Sequence, residues 1–170
     1  MNMLYRQITI HDPEYAKEKE LRLAVLRKPL GLALSAEDTQ NDGDRIHLVA
    51  QDAPGEVVGC VLVEKEGLSA RIRQMAVADS HRFKGIGRHL VQFAERVSEQ
   101  WGCSCVYMHA RCEAREFYEK LGYRVMSSVF NELDIPHVTM NKQLANGIRM
   151  ELKTGDPFDR QVVRPADKEP

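Results

Sequence analysis

A short basic loop, Arg82-Phe83-Lys84, runs into Gly85-Ile86-Gly87-Arg88, where two glycines open a helical pattern. Backbone N–H groups at a helix start have no intrahelical partner and point outward, so they form an anion site. Gly85 and Gly87 let the backbone approach a phosphate closely, and Arg82, Lys84 and Arg88 add charge-assisted contacts. The residues therefore describe a cradle for a phosphate or pyrophosphate. The spacing is not that of a P-loop, nor of the six-residue dinucleotide fingerprint. The bland alternative is a glycine turn with solvated charges. The four cysteines, Cys60, Cys103, Cys105 and Cys112, contain no C-x-x-C pair and read as free thiols, with no metal site.

The elements that must position this cradle are legible from periodicity. Met3 to Ile10 reads as a strand, and Asp12-Pro13 opens a helix carrying Leu21, Ala24 and Val25 and ending at Pro29 and Gly31. Ser35 to Asp44 is a polar loop, with one helical turn at Ala36 to Thr39. Ile46 to Gln51 and Glu56 to Lys65 form a hairpin about Asp52-Ala53-Pro54-Gly55, and Ala70 to Val77 is a further strand. A long helix runs from Gly85 to about Trp101, with Ile86, Leu90, Phe93, Ala94 and Val97 on one stripe. Ser104 to His109 is a strand, and Ala114 to Leu121 is a short helix. Arg124 to Phe130 and His137 to Met140 are final strands, joined through Asn131 to Pro136. The result is an α+β domain: a mixed, mostly antiparallel sheet of about seven strands flanked by helices, spanning residues 1–145. Residues 146–170 hold five basic and five acidic residues with three prolines and read as a charged tail.

Composition narrows the function. Lys plus Arg is 24 and Asp plus Glu is 25, a net charge of −1, which argues against a dedicated nucleic-acid binder. No apolar run is long enough for a bilayer, and the first residues lack a secretory layout, so a cytoplasmic location is expected. The charge is locally uneven: Arg71 to Arg88 holds five basic residues and one acid, whereas Ser35 to Asp44 holds four acids and no base. The acidic loop is expected to attract a cationic ligand, or else to be a solvated surface.

Arg82-Phe83-Lys84-Gly85-Ile86-Gly87 resembles the [QR]-x-x-G-x-[GA] motif of the GNAT superfamily of acyl-CoA N-acyltransferases, and follows a strand ending Met75-Ala76-Val77 as in that family. Ala114-Arg115-Glu116-Phe117-Tyr118-Glu119-Lys120-Leu121-Gly122-Tyr123 resembles the family's second motif. The order and spacing of the two motifs make the likeness far more specific than a lone G-x-G, and it covers roughly residues 3 to 144. Leu21-Arg22, Val25-Leu26-Arg27 and Pro29-Leu30-Gly31, with Ile135-Pro136-His137 and Met140, are similar to an ElaA-like bacterial subgroup.

The resemblance implies a sheet splayed between its fourth and fifth strands, with acetyl-CoA as cosubstrate and no metal. Met75, Ala76 and Val77 would pair with the pantetheine arm. Arg82, Phe83, Lys84, Gly85, Ile86, Gly87 and Arg88 would hold the pyrophosphate. Tyr118 would protonate the leaving thiolate, and the Val77 amide would donate to the oxyanion. The implied reaction is acetyl transfer to a primary amine of a small molecule or an exposed amino group. The fourth strand offers Arg71, Arg73 and Gln74 rather than a carboxylate, so the base falls to His137, Glu132, His109 or a water chain. His47 could face the same cleft. Arg111 departs from an asparagine common in the family. The alternatives are a non-catalytic acyl-CoA sensor and a transferase using another acyl-CoA donor. A homodimer is the mild expectation.

Overall fold

The computed structural model describes residues 2–145; the expected tail at 146–170 lies outside the described residues. Eight strands form one open sheet: β1 (Leu4–Ile8), β2 (Ile46–Ala53), β3 (Glu56–Glu66), β4 (Ser69–Val77), β5 (Cys105–Arg111), β6 (Arg124–Val125), β7 (Phe130–Glu132) and β8 (Ile135–Gln143). The order across the sheet is β1-β2-β3-β4-β5-β8-β6, with β7 also paired to β8. Every pairing is antiparallel except β4 with β5. Four helices flank it: α1 (Glu14–Arg22), α2 (Ala36–Thr39), α3 (Ile86–Gln100) and α4 (Arg115–Lys120). None of the described helices is long and apolar enough to cross a membrane.

The central strands are covered on both faces, which explains why β2 reads as a continuous buried run from Ile46 to Gln51 rather than an alternating one. The stripe of α3 (Ile86, Leu90, Phe93, Ala94 and Val97) packs on one face with Val61, Val63, Ile72, Val106 and Met108. Gly59 permits the approach: a Cβ there would sit 2.9 Å from the Ile86 side chain and 3.0 Å from Leu90. On the other face α1 seals a smaller cluster of Ile8, Leu21, Val49, Cys60 and Ala76.

Two local features shape the site. First, β4 and β5 pair only at Ser69–Cys105, Ala70–Val106 and Arg71–Tyr107, and diverge beyond, as the resemblance implied. Second, β4 carries a bulge. Leu62 faces Arg73 and Cys60 faces Ala76, so Val61 alone stands opposite Gln74 and Met75. Gln74 takes a positive φ of 47°. A bulge re-aims side chains: Ile72 and Met75 pack on the α3 side, while Ala76 packs on the α1 side.

The strand expected over Arg124 to Phe130 is instead two short strands, giving eight strands rather than seven. The joint expected over Asn131 to Pro136 is a tight hairpin in which Glu132 pairs with Ile135. Its two loop residues, Leu133 and Asp134, both have positive φ (51° and 58°), the signature of the hairpin turn that matches strand twist. This hairpin carries Glu132 back over β8.

Candidate active site

The diverging strands open a cleft of about 610 Å³ that passes through the sheet. On the α3 side its lining includes Met75, Val77, Gly85, Gly87, Phe117 and Tyr118; on the α1 side it includes Arg71, Arg73, Gln74, His109, Arg111 and Glu132.

The predicted cradle sits at the first end. Gly85 precedes α3 with a positive φ of 80°, which a glycine adopts without strain. The first helical bond is His89 N–H to the Gly85 carbonyl at 3.1 Å. The amides of Ile86, Gly87 and Arg88 lie ahead of it, and no side chain caps them. Gly87 is closely hemmed: a Cβ there would lie 3.3 Å from Phe117 and 3.5 Å from Met75. Arg82, Phe83 and Arg88 line the cleft mouth; Phe83 is fully exposed at a positive φ of 62°. Arg82 pairs with Asp79 at 3.0 Å across exposed surface.

Tyr118 is buried, with its ring edge-on to Phe117 and Tyr123 and its hydroxyl 3.9 Å from the Met75 sulfur. Burial holds its hydroxyl well above the usual phenol range, so it stays a proton donor. Tyr118 thus packs in the core and lines the cleft at once. Ala78 N–H donates to the Val58 carbonyl of β3 at 2.8 Å. Successive amides of an extended strand point to opposite edges, which directs Val77 N–H toward the open side.

The base candidates converge. His109 Nδ1 lies 2.5 Å from Glu132 Oε1, and His137 Nε2 lies 3.9 Å from Glu132 Oε2. His137 Nδ1 donates to the Ile135 carbonyl at 2.7 Å. Phe130 stacks on His137 and meets His109 edge-on, wedging the two imidazoles apart. With Nδ1–H of His109 committed to a carboxylate, Nε2 carries the lone pair. Glu132, His137 and His109 are thus one cluster, brought together by β5, β8 and the β7–β8 hairpin.

Two expectations are corrected. The acidic loop is anionic surface only in part: Glu37 and Asp44 are exposed, but the other two of its four acids are paired inside the chain. Asp42 is buried against Arg22 (2.8 Å), Tyr15 (2.7 Å) and Arg45 (3.5 Å), and Asp38 pairs with Arg27 at 2.6 Å while closing the Ser35 cap of α2. His47 does not face the cleft. It is buried with Nδ1 2.7 Å from Glu18 and Nε2 2.8 Å from the Asp42 carbonyl. Burial opposes its charge, but the Glu18 carboxylate outweighs this and raises its pKa.

Sequence reasoning missed what this cluster does for β4. Arg22 Nε donates to the Gln74 side-chain oxygen at 2.7 Å, and Gln74 Nε2 donates to the Asp38 carbonyl at 2.9 Å. The bulge is held from beneath by a fully buried guanidinium. A glutamine at positive φ gives no sequence signal. Arg111 reaches the Leu26 carbonyl at 3.3 Å, tying β5 to the chain after α1.

Among known proteins, the model of the acetyltransferase (GNAT) domain matches residues 43–125. A Bacillus subtilis (strain 168) protein classed as an acetyltransferase is 36% identical over 129 residues, covering 73% of this chain and 86% of that relative. The chain belongs to the GNAT family of acetyltransferases. A crystal structure from Lactobacillus plantarum, assigned as an N-acetyltransferase, superposes with a TM-score of 0.75 at 26% identity, covering 84% of this chain and 99% of that one. Escherichia coli ElaA shares the fold at a TM-score of 0.72 and 20% identity, over 83% of this chain and 99% of its own. An aminoglycoside 6'-N-acetyltransferase complexed with coenzyme A shares it at 0.67 and 21%, over 82% and 96%. The family's reaction is acetyl transfer to an amine.

Proposed function

We propose that this GNAT chain transfers the acetyl group of acetyl-CoA to a primary amine, with the cofactor entering from the α3 side of the cleft and the acceptor from the α1 side. The observation that carries the reading is the continuity of the cleft: it joins a helix start with uncapped amides to a His–Glu cluster on the opposite face of the sheet. The residues present fit coenzyme A, because Gly87 leaves the α3 amides accessible where a side chain would press on Phe117 and Met75. Ile86, Gly87 and Arg88 amides would hold the pyrophosphate, with Arg82, Lys84 and Arg88 neutralising its charge. Met75 to Val77 would pair along the pantetheine arm. When bound, acetyl-CoA supplies an activated acyl group and a thiolate leaving group.

The chain's own residues then divide the proton work. An ammonium acceptor must lose a proton before it attacks; His109 Nε2 takes it while Glu132 fixes the tautomer and stabilises the imidazolium. His137 Nε2 stands 3.9 Å from the second carboxylate oxygen, at the edge of the cluster. Val77 N–H, directed to the open edge of β4, would donate to the thioester oxygen as negative charge develops there. Tyr118 O–H, held protonated by burial, delivers a proton to the departing sulfur.

The test is release of free thiol from acetyl-CoA over a panel of amines, alongside calorimetric titration of coenzyme A. Tyr118→Phe is expected to lower kcat roughly tenfold to a hundredfold with coenzyme A affinity retained. Tight coenzyme A binding without amine-dependent turnover, and no effect of Tyr118→Phe, would establish the non-catalytic sensor instead. Faster turnover with a longer acyl-CoA would reassign the donor.

A further inference from the structure

We propose, on the footing of that acetyl-transfer reading, that the amine acceptor carries an anionic group, a carboxylate or a phosphate, which is bound by Arg71 and Arg73 of β4 with Arg111 of β5. Arg71 and Arg73 alternate with the core residue Ile72, so both side chains leave the α1 face of the sheet. Arg111 leaves the same face of β5, two residues beyond His109, and all three line the cleft.

These guanidinium groups are underpaired beside two arginines on the same side of the sheet that are well paired. Arg27 holds Asp38 at 2.6 Å and Arg22 holds Asp42 at 2.8 Å. By contrast, no carboxylate pairs with Arg71 among the described residues. Its Nε is buried without a hydrogen-bond partner. Its Nη2 lies 3.1 Å from His109 Nδ1, a nitrogen already donating to Glu132 and so unable to accept. Arg73 stands 3.6 Å from Glu64, an acid whose same oxygen serves Arg45 at 3.2 Å. Burial, then the charges of Arg71 and Arg45, push the Arg73 guanidinium below its ordinary range. Arg111 reaches the Leu26 carbonyl at 3.3 Å, but its one carboxylate contact is long, to the exposed Glu113 at 3.7 Å. Two neighbouring guanidiniums without a carboxylate of their own fit the planar or tetrahedral oxygens of a carboxylate or phosphate.

This anion would not be the cofactor's. Arg73 precedes Val77 by four residues, about 13 Å of strand, and leaves the α1 face of the sheet, whereas the cradle opens on the α3 side. An acceptor anchored at Arg71 and Arg73 would place its amine between this wall and the open edge of β4, beside His109.

The experiment uses four amines on one three-carbon chain: 3-aminopropanoate, 3-aminopropyl phosphate, 3-aminopropanol and 1,3-diaminopropane. Thiol release at saturating acetyl-CoA is expected to give the better anionic amine a kcat/KM about tenfold or more above the neutral and dicationic ones. Which anionic amine leads tells carboxylate from phosphate. Arg73→Glu should erase that preference through KM, and Arg73→Gln should weaken it, both with coenzyme A affinity unchanged. Titration of the same amines into the coenzyme A complex reads the subsite without turnover. Anion-dependent binding lost in Arg73→Glu, with no thiol released, would support the subsite and overturn the transfer reading. Turnover or binding that does not distinguish the four amines, or that survives Arg73→Glu unchanged, would overturn the subsite and leave the transfer reading standing.

Discussion

Two clusters of charge lie on the α1 side of the sheet, one beneath the β4 bulge and one along the cleft wall. Beneath the bulge, Glu18 and Arg22 are fully buried and Asp42 and His47 nearly so, and almost every charge meets its opposite inside the chain. Along the wall, Arg71, Arg73 and Arg111 look into open volume with few partners. The difference separates structural charge from functional charge. A buried pair is retained at a desolvation cost, and here it fixes Gln74 in a conformation that few side chains adopt alone. A guanidinium facing a cavity without an acid is instead available to a ligand.

The sharpest way to break this comparison is to remove one partner from the buried cluster. Arg22→Met takes from buried Asp42 its closest cation, leaving Arg45 at 3.5 Å, and should cost about 3–5 kcal/mol of stability, read from urea unfolding. A loss below about 1 kcal/mol would mean that Asp42 finds compensation elsewhere. Next comes the bridge between the regions. Glu132→Gln keeps shape but removes the charge that orients His109; kcat should fall about tenfold to a hundredfold with the KM for acetyl-CoA unchanged, measured by thiol release. Equal activity would move the base away from this cluster.

A smaller effect concerns pH. Both ring nitrogens of His47 face acceptors, Glu18 and the Asp42 carbonyl, so the doubly protonated ring fits the pocket. Its folded-state pKa lies above the unfolded value of about 6.5. The stabilisation is complete below that pH and is lost as pH rises through the raised folded value. The thermal midpoint of the wild type should fall across that window more steeply than that of His47→Gln; parallel slopes would contradict the assignment. The smallest change is expected at the wall. Arg73→Gln should shift stability by no more than about 0.5 kcal/mol, because its one acid is shared with Arg45.

Much of the fold was readable because its signals are local. The α3 stripe, the glycines at 85 and 87 and the β2–β3 hairpin follow from periodicity and turn chemistry. The sequence also set out the cradle, Tyr118 and the candidates Glu132, His109 and His137, but not that the last three meet. That meeting depends on a two-residue turn at Leu133-Asp134, which lacks the Asn-Gly or Asp-Gly pair that marks such turns. The acidic loop misled for the opposite reason. Counting charges within the loop cannot reveal that Arg22 and Arg27, from the chain before it, and Arg45, just after it, neutralise Asp38 and Asp42. The arginines at 71 and 73 were visible as part of a basic run and as the absence of an acid; their meaning depends on what does not pair with them in space.

The central claim is that one cleft through the splayed sheet joins a cofactor cradle to a proton-accepting cluster. A crystal structure with coenzyme A bound tests it most directly. The account predicts the pyrophosphate against the amides of Ile86, Gly87 and Arg88, the pantetheine arm along Met75 to Val77, and the thiol within about 4 Å of the Tyr118 hydroxyl with His109 on the opposite side. A cofactor bound elsewhere, or a thiol out of reach of both Tyr118 and the His109–Glu132 pair, would contradict it.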